Sequence, residues 1–337
     1  MKINNRRYIG CKTKLLDFIE NSIDAYNFEQ GSVFADIFAG TGVVGHQFAQ
    51  KGFKTILNDI LYSNVVVYKA LLGEGDINLT KVESTINFFN EIDSKKIPSN
   101  YFSEIYGKKY FAETDARKIG FIRDYIEDNK EKYTEREYHY LISCLLYSCD
   151  KIANTVGHFE SFLKKEPKEY GVKLELFELL EDCIPADIYN MDANNLSRMI
   201  KADIVYIDPP YNARQYVNFY HVLENLARWN KPTEFEGNSM KFKRNELKSD
   251  YGRSKAPQLF KDLIDNLECK LIVVSYNNTY KAGSISSVNT ISSEQIIDIL
   301  SKKGKVTIKE QNYKAFNSGK TELNGHKELL YICEVGK

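Results

Sequence analysis

The sequence predicts an α/β fold: a mostly parallel sheet with an antiparallel strand pair at one end, interrupted by a mainly helical insertion. Three observations carry that expectation. Short apolar runs alternate with helical patterns over the first seventy residues, and strand signals return near residue 186. Between about Leu79 and Asp182 they fade, and the chain is rich in Lys, Glu, Asn, Tyr and Phe. Near the end, Val306–Ile308 and Leu329–Val335 read as two strands joined by a polar turn through Lys320 to Gly325.

Taken in order, Lys14 to Ala25 places Leu15, Leu16, Ile19 and Ile23 at helical spacing. Ser32-Val33-Phe34-Ala35 reads as a buried strand, Val43 to Gln50 as a helix and Thr55-Ile56-Leu57 as a second strand. Glu135 to Asn154 carries a long helical pattern. Further strands are expected at Ala186–Met191, Ile204–Ile207 and Leu271–Ser275, and a helix at Phe219–Trp229.

At 337 residues, 43% hydrophobic and 27% charged, the composition is that of an ordinary globular protein. No run of 18 apolar residues predicts a membrane span. The polar, basic stretch Met1 to Lys12 lacks the apolar segment of a signal peptide. Net charge is zero, which argues against a histone-like nucleic-acid binder but permits a local basic face. Six cysteines and five histidines show no zinc-type spacing, so no metal site is expected, and free thiols in a reducing cytoplasm are.

The sharpest local signal is Asp208-Pro209-Pro210-Tyr211, directly behind the apolar run Ile204–Ile207. It brings a carboxylate, a carbonyl followed by no N–H, a rigid turn and a flat ring to the end of one strand. Those parts suit the holding of an aminated base while its exocyclic nitrogen attacks an electrophile. Asp-Pro-Pro is also an effective strand terminator, so the tetrapeptide alone serves either purpose.

A second signal follows the first strand: Asp36, Phe38, Gly40, Thr41 and Gly42, with Gly45 completing Gly-x-Gly-x-x-Gly. Glycines permit a sharp turn and close approach to a ligand. The pattern also fits a dinucleotide site, with Asp59 near the ribose position. Asp36, however, puts a negative charge where a pyrophosphate would lie, and suits the cationic tail of S-adenosylmethionine instead. Asp59 is placed to accept ribose hydroxyls or to cap a helix. Asp192 is placed to accept from a cofactor's adenine amino group or to cap a helix starting at Ala193. Tyr8, Gly10 and Lys12 form a short Tyr-x-Gly-x-Lys run at the start of a helix.

Tyr-x-Gly-x-Lys, Asp-x-Phe-x-Gly-x-Gly and Asp-Pro-Pro-Tyr, in that order, resemble the DNA N6-adenine methyltransferases of the alpha-order, Dam-like (D12) group. The stretches Asp208–Tyr216, Asp150–Thr155 and Ser275–Asn278 are similar to restriction-modification methylases of that group, including some that modify CATG. The resemblance implies a Rossmann-like S-adenosylmethionine-dependent methyltransferase sheet. It implies a catalytic domain of residues 1–72 and 184–337 and a helical target-recognition insertion of residues 73–183. It also implies roles: Asp36 on the methionyl amine, Asp59 on the ribose, Asp192 on the adenine, Tyr8 and Lys12 beside the methionine tail, and Asp208–Tyr211 on a flipped adenine in double-stranded DNA. A cognate restriction endonuclease is the expected genetic companion of a monomeric, cytoplasmic enzyme.

Phosphate contacts are expected from Arg214 and from a basic, poorly structured stretch holding Lys241, Lys243, Arg244 and Lys248. A plain solvated loop has the same composition. Three other readings remain at this stage: an RNA amino-group methyltransferase, a catalytically silent nucleic-acid-binding subunit, and a nicotinamide enzyme. The last leaves Asp208–Tyr211 without a use.

Overall fold

The computed structural model describes residues 1–3, 6–180, 183–279, 288–312 and 326–336. Its strands, in chain order, are β1 (Val33–Asp36), β2 (Lys54–Asn58), β3 (Asp187–Tyr189), β4 (Ile204–Ile207), β5 (Phe235–Glu236), β6 (Lys241–Phe242), β7 (Leu271–Asn277), β8 (Gly304–Asn312) and β9 (Lys327–Val335). The helices are α1 (Leu16–Asp24), α2 (Val43–Gln50), α3 (Tyr62–Leu72), α4 (Leu79–Glu91), α5 (Tyr101–Tyr106), α6 (Glu113–Asp128), α7 (Glu135–Ile152), α8 (Ala193–Ser197), α9 (Tyr216–Arg228), α10 (Ala256–Asn266) and α11 (Ser293–Ser301). The predicted turn at Lys320–Gly325 lies outside the described residues; the strands on either side extend further than their apolar cores suggested.

The chain divides into two compact units. One comprises Gly10–Ile60, Asp182–Gln215 and Leu247–Lys337 and contains a seven-stranded sheet in the order β3-β2-β1-β4-β7-β9-β8. β3, β2, β1, β4 and β7 run parallel, and β9 pairs antiparallel with both β7 and β8. All four residues of β4 and the last three of β1 are buried, because a parallel sheet is covered on both faces. α8, α10 and α11 contribute Leu196, Phe260, Leu263, Ile296 and Leu300 to a core with Val205, Ile207, Ile272 and Val274. α2 lies against β2 because its third residue is Gly45: a Cβ there would sit 2.1 Å from Leu57 Cδ2. The β1–β4 boundary is where the strand order reverses, the position at which doubly wound sheets bind ligands.

The other unit comprises Met1–Ile9, Leu61–Glu181 and Tyr216–Glu246. It is helical, apart from the short antiparallel β5–β6 pair. α7 starts with a capping box in which the Thr134 side chain accepts from the Glu137 amide and the Glu137 side chain accepts in return from Thr134 N–H. Residues 73–183 account for most of this unit but not all. α3, α9 and the first nine residues also belong to it. α3 is buried at nine of its eleven positions, so it needs partners on every side and packs with α7 and α9. The amino terminus is anchored as well: the Met1 ammonium donates to Leu176 O at 2.6 Å, and Arg6 Nη1 to Asn64 Oδ1 at 2.8 Å.

Among the described residues, no helix is long and apolar enough to cross a membrane, and no group of His, Cys, Asp and Glu side chains is arranged to hold a metal ion. All six cysteines are free thiols.

Candidate active site

The parallel register sets the geometry. Asp36 ends β1 opposite Leu57 of β2 on one side and Tyr206 of β4 on the other. Asp59 follows β2, Asp192 follows β3 and Asp208 follows β4. The sheet unit therefore brings four carboxylates, 172 residues apart at the extremes, to the carboxyl ends of four neighbouring strands.

Asp36 is 1% exposed, and among the described residues neither carboxylate oxygen has a hydrogen-bond partner. The nearby Gly45 amide favours its ionised form without meeting hydrogen-bond geometry. Burial, then repulsion from Asp208, holds this carboxyl well above the usual range. Beside it, Gly40 (φ 54°) and Gly42 (φ 77°) take left-handed conformations that a β-carbon disfavours, and Gly42 caps α2. The Gly40 amide donates to Asp59 Oδ2 at 2.9 Å, so Asp59 steadies the glycine turn. Thr41 is buried, and Phe38 meets Tyr251 edge-on, with centroids 5.2 Å apart. Asp192 caps α8, accepting from the Asn194 and Asn195 amides, which satisfies the capping alternative for that residue.

Asp208 sits in a compact polar cluster. Its Oδ1 accepts from Tyr211 Oη at 2.5 Å and pairs with Lys12 Nζ at 3.0 Å. Lys12 Nζ also donates to Glu328 Oε1 at 2.9 Å and to Tyr211 Oη at 2.6 Å. Glu328 Oε1 lies 2.6 Å from Tyr211 Oη and accepts from Ser275 Oγ at 2.8 Å. Burial pushes the Asp208 carboxyl up to about 6; the Lys12 charge opposes that shift and the Glu328 charge adds to it. Burial also disfavours the Lys12 ammonium, but Asp208 and Glu328 together hold its pKa well above the ordinary value. Burial likewise penalises the charged form of Glu328, yet Lys12 and the donated hydrogen bonds keep its carboxyl below the usual range. The loop itself is fixed: the Tyr211 carbonyl accepts from Thr290 N at 2.8 Å and Tyr276 Oη at 3.1 Å, and Pro209 is buried beneath it.

Several residues expected on ligands have partners within the protein. The Lys12 ammonium, expected beside a methionyl carboxylate, is committed to Asp208 and Glu328. Tyr8 belongs to the helical unit, where its ring stacks on Tyr220 (4.5 Å, 7°) and packs on Tyr216. Arg244, expected on DNA phosphate, is buried. It bonds Asn218 Oδ1 at 2.8 Å, Phe242 O at 2.8 Å and Glu236 Oε2 at 3.0 Å. Nor is that stretch poorly structured: it contains β6 and 3-10 turns at Asn245–Leu247 and Asp250–Gly252. Lys243 and Arg214 are exposed, and Lys241 and Lys248 are half-buried. Sequence reasoning missed Glu328. Its signal is an acid sharing one side of a strand with Leu330 and Ile332, where a buried charge without a partner is costly, though Glu334 falls on the same side.

A family model described as D12 class N6 adenine-specific DNA methyltransferase matches residues 8–315. The modification methylase StsI of Streptococcus sanguinis is 35% identical over 97% of this chain, which spans only 52% of that relative. Type II methyltransferase M.NlaIII of Neisseria lactamica is 31% identical over 97% of this chain and 98% of its own length. M.CviAII of Paramecium bursaria Chlorella virus 1 is 31% identical over 99% of each. The chain thus spans about half of one relative and nearly all of two others. Enzymes of this class take their methyl group from S-adenosyl-L-methionine. With a match that covers both the glycine turn and the Asp-Pro-Pro-Tyr loop, the chain belongs to the D12 class of N6 adenine-specific DNA methyltransferases.

Proposed function

We propose that this chain transfers a methyl group from S-adenosyl-L-methionine to N6 of an adenine flipped out of double-stranded DNA, as the modification half of a restriction-modification system. The observation that carries the reading is the placement of Asp36 and Asp208 at the carboxyl ends of adjacent strands. One is a buried carboxylate lacking a partner; the other is a carboxylate on a rigid loop.

The residues present fit the cofactor. A cationic amino-acid tail supplies what Asp36 lacks, a charged donor in a buried site. Asp59 faces the glycine turn and offers its carboxylate to a ribose. When bound, the cofactor supplies the electrophilic methyl group. Asp208 and the Pro209 carbonyl then each accept an N–H of the base, turning the nitrogen lone pair out of the ring plane. Even at a pKa of about 6, Asp208 is too weak a base to deprotonate a neutral aryl amine, so attack precedes proton loss. The methylated nitrogen is a strong acid, and Asp208 is the acceptor for its proton. Near-attack positioning contributes several kcal/mol, on the scale of about 7–11 kcal/mol available to well-oriented reactions. Extruding a base costs a few kcal/mol, which stacking on the Tyr211 ring, about 1–3 kcal/mol, helps to offset.

Exposed Lys243 and Arg214, with Lys241 and Lys248, are the proposed phosphate contacts. The helical segment 73–183 is the proposed reader of the target sequence. A monomeric, cytoplasmic enzyme with a genetically linked endonuclease completes the reading.

The test is expression in a host without adenine methylation, followed by single-molecule sequencing of its DNA. N6-methyladenine in one short motif is expected, and Asp208→Ala should abolish it while retaining binding of S-adenosylhomocysteine. Methylated RNA with unmodified DNA, or turnover by Asp208→Ala, overturns the reading. The motif recovered also decides whether CATG is the target.

A further inference from the structure

Tyr211 has one hydroxyl hydrogen and two carboxylate oxygens within reach: Asp208 Oδ1 at 2.5 Å and Glu328 Oε1 at 2.6 Å. Lys12 Nζ is poised in the same way, 3.0 Å from Asp208 Oδ1 and 2.9 Å from Glu328 Oε1. Asp208 Oδ1 already accepts from the protein's own donors, so an incoming amino group competes with them for the carboxylate. A buried donor left without an acceptor would carry a desolvation penalty. Glu328 removes that penalty, because the hydroxyl hydrogen can swing from one carboxylate to the other while the ring stays still. Its own position is set by the sheet: it pairs with Asn277 of β7 and Gln311 of β8, and Ser275 Oγ donates to the same oxygen. A site held on strands rather than loops keeps such tolerances tight.

We infer that Glu328 is a positioning residue for methyl transfer: it takes over the Tyr211 hydroxyl and the Lys12 ammonium when Asp208 is surrendered to the target amino group. This rests on the assignment of Asp208 made above. Lys12 and Tyr211 share their donors between Asp208 and Glu328. With a base on Asp208, both rest on Glu328 alone. No bond is broken other than hydrogen bonds, and no net proton moves. The charged and titratable groups facing the pair are Lys12, Asp36, Tyr206, Asp208, Tyr211 and His326. Of the two carboxylates, Glu328 keeps its charge to lower pH, since Lys12 and its donors hold it low while Asp208 is held high.

The test measures kcat and kcat/KM against pH for Glu328→Gln and Glu328→Asp, with plasmid DNA from a host lacking adenine methylation. Glu328→Gln removes a negative charge that raises Asp208. The acid limb of kcat/KM should therefore move to lower pH. The plateau kcat should fall at least about tenfold, because Lys12 and Tyr211 then stay on Asp208. Glu328→Asp keeps the charge and should restore the limb. A side chain that served only the fold would lower the active fraction and leave the limb in place; that outcome, or wild-type rates in Glu328→Gln, overturns the inference. Wild-type and Asp208→Asn controls separate the two claims: DNA left unmethylated by wild type, or methylated by Asp208→Asn, rejects the site itself rather than Glu328. Should Glu328→Gln fail to fold, the wild-type protein decides. In a structure with S-adenosylhomocysteine and a duplex carrying the motif, Tyr211 Oη and Lys12 Nζ should contact Glu328, with the target N6 on Asp208. Finding both donors still on Asp208 overturns it.

Discussion

Replacing Asp36 by Asn separates folding from cofactor binding with opposite signs. The wild-type carboxylate is buried without a hydrogen-bond partner and is repelled by Asp208. A neutral amide of the same shape spares on the order of 1 kcal/mol of desolvation, so the apo protein should melt about 1–3 °C higher. Binding should move the other way. A charge-assisted hydrogen bond to the ligand's ammonium contributes about 1.5–3 kcal/mol, and losing it weakens Kd by about 10- to 150-fold. The assay is calorimetric titration with S-adenosylhomocysteine, paired with thermal melts. At a concentration 100 times the wild-type Kd, ligand stabilises wild type by about 2.7 kcal/mol, and a 100-fold weaker variant by about 0.4 kcal/mol. Titrations in buffers of different ionisation enthalpy add a sign check. Burial and Asp208 raise the Asp36 carboxyl, and a cation bound beside it lowers it again, so ligand binding to wild type should release protons and tighten as pH rises. Asp36→Asn should lose both effects. Unchanged affinity in the variant, or a clearly lower melting temperature, would refute the reasoning.

Other outcomes follow from the same geometry. Methylation by wild type should fall about tenfold per pH unit below the Asp208 value of about 6, since only the ionised carboxylate accepts the amino hydrogens; a flat profile to pH 5 would assign that role elsewhere. Gly45→Ala adds a methyl group 2.1 Å from Leu57 Cδ2, and overpacking of about 1–3 kcal/mol should exceed the roughly 1 kcal/mol gained in helix propensity. A urea midpoint raised above wild type would show that Leu57 yields freely. Arg244→Ala should cost about 1–3 kcal/mol of stability and leave the salt slope of DNA binding unchanged. Lys243→Ala should leave stability alone and reduce that slope by about one; identical slopes would remove Lys243 from the interface.

Much of the sheet and one half of the site were legible in the sequence, because their signals are local. Asp36, the glycine turn and Asp208–Tyr211 each announce themselves within a few residues, as strand ends followed by residues that stop strands. The partner set of Asp208 was not legible. Glu328 lies 316 residues from Lys12 in the chain, and only folding shows that β9 runs beside β7. Arg244 illustrates the opposite error: a guanidinium sealed against Asn218 and Glu236 has the same local composition as one waiting for phosphate. The helical unit's reach to α3 and α9 was hidden for a related reason. α3 is buried around most of its circumference, Ser63 and Asn64 included, a pattern that demands neighbours without saying which.

The order of strands has a consequence for the protein's synthesis. β9 follows β8 in the chain but lies between β7 and β8 in the sheet. A ribosome-bound chain that has emerged only to Asn312 carries an open β7 edge and a β8 with nothing to join, the kind of exposed edge that invites pairing with other chains. It also carries Lys12 and Tyr211 with Asp208 as their sole acid in the cluster. Emergence of residues 327–335 closes the edge and brings Glu328 to Lys12 and Tyr211 in one step.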